Sequence, residues 1–94
     1  MAVIVMAENS NLTREAYDGM LMGLRDVMKA APGFVAHMGW GTPEGWRVVE
    51  VWQTQADANQ FFAKFVHPNL PPNTPPPKRT VQELHALLES APGR

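Results

Sequence analysis

The spacing of apolar positions changes along the chain, and each change marks an element. Residues 2 to 7, AVIVMA, are continuously apolar and rich in β-branched side chains, the pattern of a strand covered on both faces. The polar run ENSNLT then breaks the strand and ends on Thr13, a helix cap, with Glu15 placed where a negative charge complements the helix dipole. Tyr17, Met20, Leu21, Leu24, Val27, Met28 and Ala31 recur at three- and four-residue spacing, which predicts a helix with one apolar stripe ended by Pro32-Gly33. Residues 34 to 41 and 46 to 53 read as strands, and the TPEG between them makes a hairpin. Thr54-x-x-Asp57 opens a second helix carrying Ala58, Phe61, Phe62 and Phe65, which stops near His67-Pro68.

Past that point the pattern is less regular. NLPPNTPPPKRT has five prolines in twelve positions and reads as an extended surface connection, centred on residues 71–78. TVQELHALLE fits a helix through Val81, Leu84, Leu87 and Leu88, and a strand through Val81, Glu83, His85 and Leu87. Two helices packed on a three-stranded sheet leave an edge position open, which favours the strand. The order strand, helix, strand, strand, helix, strand is that of a ferredoxin-like βαββαβ α+β fold, an antiparallel sheet with both helices on one face. Residues 1–94 are expected to form one domain, with 89–94 a flexible tail.

Strand period makes the hairpin register decisive, because a shift of one residue turns every side chain to the other face. Proline is locked near −65° and does not suit the two-residue primed turns, so a three-residue loop with Gly45 left-handed and bulged is expected. On that register Val35, His37, Gly39, Arg47, Val49 and Val51 lie under the helices. Ala36, Met38, Trp40, Val48, Glu50 and Trp52 then face outward. A sheet face so rich in indole needs covering, which predicts a homodimer through Trp40, Trp46 and Trp52.

Composition narrows the function. Ninety-four residues bury only somewhat more than roughly 60% of the unfolded surface, a marginal core that a partner subunit would support. Nine acidic and eight basic side chains leave a formal charge of −1 without a basic stripe, which argues against nucleic acid. The apolar start lacks a positive leader and the length of a span, so no membrane partner and a cytoplasmic location are expected. Zero cysteines remove disulfides and thiolate nucleophiles. Three scattered histidines make no metal cluster, and no cofactor is expected.

GWRVVEVWQT, ADANQFF and VQELHALL together resemble the dimeric α/β-barrel superfamily, and within it the small antibiotic-biosynthesis-monooxygenase-like proteins. The resemblance implies two subunits joining their sheets, each with a ligand cavity between sheet and helices. It brings in cofactor-free oxygenases of polycyclic phenols, polyketide cyclases, haem-degrading enzymes and isomerases. The cyclase branch carries Tyr-x-x-His-Pro-x-His; here that stretch is Lys64-Phe65-Val66-His67-Pro68-Asn69-Leu70, which keeps only the His-Pro. No histidine between His67 and His85 is available as a haem ligand, although MAEN at residues 6 to 9 resembles the haem-degrading branch's first strand.

The expected chemistry is acid–base work on a small apolar or aromatic, polyketide-like ligand: oxygenation, cyclisation or isomerisation. His37 at a strand centre and His85, two residues after Glu83, are the expected catalytic groups, because imidazole exchanges protons near neutrality. Met6, Tyr17, Arg47, Val49, Val51, Phe62 and His67 are the expected substrate-binding set. The competing readings are a ligand-binding or accessory protein of the same fold without turnover, and an interaction module working through its proline-rich segment.

Overall fold

A computed structural model describes residues 1–70 and 77–89. The elements are β1 (Val3–Ser10), α1 (Arg14–Ala30), β2 (Phe34–Thr42), β3 (Gly45–Trp52), α2 (Gln55–Phe61) and β4 (Lys78–Glu83). The strands form one antiparallel sheet in the order β2-β3-β1-β4, with both helices on one face. This is the ferredoxin-like α+β architecture that the sequence predicts. Most of the proline-rich connection, residues 71–76, and residues 90–94 of the tail lie outside the described residues.

Local chemistry explains the boundaries. Thr13 Oγ1 accepts from the Ala16 N–H at 3.1 Å and Thr54 Oγ1 from the Asp57 N–H at 3.0 Å, so both helices start on a hydroxyl cap. α1 ends at Ala30, because Pro32 cannot continue it and Gly33 takes a φ of 81°. α2 passes into a π-helical turn over Phe62–Val66 and a 3-10 turn over His67–Asn69. The first strand runs further than its apolar stretch, to Ser10, because Glu8 and Asn9 find ladder partners in Arg47 and Trp46. The ambiguous C-terminal run is a strand only through Glu83; one further bond, from the Leu84 N–H to the Ala2 carbonyl, extends the pairing.

The hairpin corrects the expected register. Thr42 pairs with Gly45 and His37 with Glu50, so the loop has two residues, Pro43 and Glu44. Gly45 is already in the ladder, at a φ of 155°, and a Cβ there would stand 2.3 Å from the Asn9 carbonyl oxygen. Close approach of β1 therefore accounts for the glycine. The extra residue is instead Val35, where the ladder shifts between Phe34 and Ala36. Shifting β3 by one residue turns it over. Trp46, Val48, Glu50 and Trp52 lie under the helices, whereas Arg47, Val49 and Val51 face outward with Met38 and Trp40.

The core sits at one end of the layer. Val3, Val5, Met28, Trp52, Ala58 and Phe61 are buried together, with Ala31, Phe34, Phe65, Val66 and Val81 packed around them. At the other end the stripe of α1 does not close on the sheet: Met28 is its buried residue, while Tyr17, Met20, Leu21 and Leu24 stay partly exposed. Those side chains roof a cavity.

Candidate active site

The cavity has a volume of about 450 Å³ and is predominantly apolar. Its floor is Val5, Ala7 and Val48, and Phe61, Phe62 and Val66 close the side under α2. The π turn brings Phe62 and Val66, four residues apart, to the same wall.

Four side chains join in a chain of hydrogen bonds at the β2–β3 end. Tyr17 Oη and His37 Nε2 are 2.6 Å apart, and His37 Nδ1 is 2.7 Å from Glu50 Oε2. The other carboxylate oxygen accepts from the Trp52 indole N–H at 2.9 Å. Each link follows from the fold. His37 and Glu50 are directly paired across the hairpin, and Glu50 and Trp52 are two apart on one strand face. Gly39 provides the space for Tyr17, since a Cβ there would lie 2.4 Å from the phenol oxygen. The Tyr17 ring also packs at 4.8 Å from Trp46, between centroids.

This arrangement sets the direction of each bond. Glu50 is an acceptor when ionised, so His37 donates through Nδ1 and leaves Nε2 to accept the Tyr17 hydroxyl proton. The imidazole and carboxylate side chains are only 13% and 17% exposed, which strengthens their pairing relative to a surface pair. Burial pushes the Tyr17 phenol above its ordinary pKa, with the negative charges of Glu50 and then Asp18 adding to the effect. Tyr17 is thus held as the neutral hydroxyl.

The sequence-predicted residues divide between places. Tyr17, His37 and Phe62 line the cavity. Arg47 lies on the outer face, where it pairs with Glu8, and Val49 and Val51 follow it there by strand alternation. Met6 is likewise outward, since its neighbours Val5 and Ala7 point in. His67 is exposed on the 3-10 turn beyond the cavity lining, and His85 is exposed past the end of β4. Trp46 and Trp52, expected in a dimer contact, belong to the helix side. The residues that sequence reasoning passed over are Glu50, Trp52 and Arg79; the signal for the first two was the His37–Glu50 pairing that a two-residue loop creates.

A ferredoxin-like sheet carrying a cavity under its helices, with a hydrogen-bonded tyrosine–histidine–glutamate chain at one end, defines the structural class. No family model matches the chain, and no curated protein matches its sequence. Among solved structures it is similar to SnoaB, a cofactor-independent oxygenase from Streptomyces nogalater, at 13% identity and a TM-score of 0.67, covering 95% of this chain and 97% of that one. NE2512, a protein of unknown function from Nitrosomonas europaea, matches at 19% identity and a TM-score of 0.68 over 96% and 93% of the two chains. ActVA-Orf6, a monooxygenase from Streptomyces coelicolor in complex with nanaomycin D, matches at 19% and 0.52 over 95% and 92%. At these identities the likeness is one of fold. The ferredoxin-like fold expected from the sequence resemblance is the fold of these structures.

Among the described residues no group of histidine and acidic side chains is placed to hold a metal ion, and no helix is long and apolar enough to cross a membrane.

Proposed function

We propose that the protein deprotonates a hydroxyarene in this cavity without a cofactor and directs the resulting anion to reaction, with oxygenation the leading outcome. The observation that carries this reading is the Tyr17–His37–Glu50 chain, whose phenol end reaches the apolar space. A ligand hydroxyl bonded to Tyr17 Oη would pass its proton to that oxygen as Tyr17 passes its own to His37 Nε2. The imidazolium so formed lies against Glu50, which stabilises it and keeps the ring in place. An arenolate is electron-rich enough to add dioxygen; loss of water from the hydroperoxide leaves a quinone, with one oxygen atom in each product. The likeness in fold to SnoaB, an oxygenase, and ActVA-Orf6, a monooxygenase, supports oxygenation over cyclisation or isomerisation. A volume of about 450 Å³ suits a small fused-ring molecule.

Oxygen uptake and quinone formation from a dihydroxynaphthalene test the reading. His37→Ala and Tyr17→Phe are each expected to lower the rate about a hundredfold. Binding without oxygen uptake by the wild type would overturn catalysis and favour a non-catalytic ligand-binding or accessory protein.

The same reading takes the protein as a cytosolic homodimer formed through the outer sheet face. Met38 and Trp40 are 46% and 43% exposed there, beside the outward Val49. Light scattering should give twice the chain mass, and Trp40→Glu should give the monomer. A wild-type monomer would refute this contact.

A further inference from the structure

A guanidinium faces the same cavity from the edge of the sheet opposite the proton chain. Arg79, on β4, lines the cavity, donates from one terminal nitrogen to Asn59 Oδ1 at 3.0 Å and lies 5.0 Å over the Phe62 ring. These contacts orient the group without neutralising it, because neither of the ion pairs among the described residues involves Arg79. Burial lowers its pKa, and the negative charge of Glu50 acts in the opposite sense. An arginine nonetheless remains a cation at any physiological pH. It is a half-buried positive charge with donors to spare, at the wall of a predominantly apolar space.

The strand ladder fixes where it stands relative to the proton chain. Gly39, Val48, Ala7 and Arg79 form a single cross-strand row through β2, β3, β1 and β4. Tyr17 stands over the first of them. Three strand spacings separate the ends of the row, about 14 Å between backbones. Tyr17 and Arg79 both line the cavity, so their polar groups face one space from the two ends of this row.

We propose that Arg79 is an anion anchor, so that the ligand of this cavity is a flat hydroxyarene with a carboxylate at the end remote from the hydroxyl that meets Tyr17. The inference rests on the reading of Tyr17, His37 and Glu50 as the acid–base end of the same cavity. A planar guanidinium offers a carboxylate two parallel bonds, and its place over the Phe62 ring holds it at the cavity wall. A neutral hydroxyarene would fill the same space while leaving the guanidinium without a direct ion pair among the described residues. Binding both ends also aligns the ring plane across the floor and brings one particular hydroxyl to Tyr17.

Titration of the protein with two probes tests this: naphthol, and the hydroxynaphthoate whose hydroxyl and carboxylate lie at opposite ends of the rings. The wild type is expected to bind the hydroxynaphthoate about tenfold more tightly or better. Arg79→Gln should abolish that preference, Arg79→Lys should keep part of it, and Tyr17→Phe should weaken both probes by the same factor. Equal binding of the two probes by the wild type, or a preference that survives Arg79→Gln, would overturn the anchor while leaving the acid–base reading standing. Failure of both probes to bind would overturn the two together.

Discussion

Replacing Trp52 with alanine is expected to destabilise the protein by about 3–5 kcal/mol, the range for removing a large aromatic from a packed core. The indole is fully buried, meeting Phe34 edge-on and Phe61 at a tilt, each at 5.4 Å between centroids. Its N–H also satisfies one oxygen of Glu50, so the truncation leaves a cavity and a less satisfied carboxylate in the same place. For a chain of this size the midpoint of thermal unfolding should fall by about 15 °C or more. Trp52→Phe should keep most of the packing and lose the bond, at about 1–2 kcal/mol. Calorimetry of both variants separates the two contributions, and a loss under about 1 kcal/mol in the alanine variant would contradict the core as described.

The second large effect is expected from a single methyl group. Gly39→Ala would place a Cβ 2.4 Å from the Tyr17 oxygen and 2.6 Å from the ring carbon bearing it, so the phenol must swing away. His37 then keeps Glu50 but loses its link to the phenol, and turnover should fall as far as in Tyr17→Phe. Tyr17 is the one tyrosine in the sequence, so an ultraviolet titration reads it without ambiguity. The wild-type phenol should titrate above the ordinary value of about 10, and the variant's should return toward it. A pKa raised in the folded state leaves stability intact below the unfolded pKa and erodes it as pH rises through the folded one. The variant should therefore show less of this alkaline loss. An unchanged phenol titration in Gly39→Ala would show that Tyr17 does not stand where the hydrogen bond requires.

These two glycine and tryptophan positions also show what sequence could and could not convey. The helices were legible because Thr13 and Thr54 cap apolar stripes, and the element order was legible because each period ended in a breaker. His37 was expected under the helices and lies there, yet the register behind that expectation was off by one residue. Proline at position 43 argued against a two-residue loop, and the competing effect was the packing of β1's backbone against Gly45, a long-range contact that local turn preferences do not contain. The slip moved Glu50 and Trp52 to the wrong face, and with them the partners of His37. It also put Arg47, Val49 and Val51 in a cavity that they do not line. Arg79 was beyond reach for a different reason. Its role depends on β4 running beside β1, and in sequence it stands at the end of the proline-rich run that reads as a surface connection.

The stripe on α1 reads in sequence as an ordinary core seam, but only Met28 is sunk into the core; toward Thr13 the helix spans open volume. The helix is thus pinned near both ends, by Met28 in the core and by the Tyr17 hydroxyl on His37. A roof held at two points fixes the height of the space beneath it. Thickness is therefore set by the frame itself, and discrimination along the floor falls on the polar groups at its two ends.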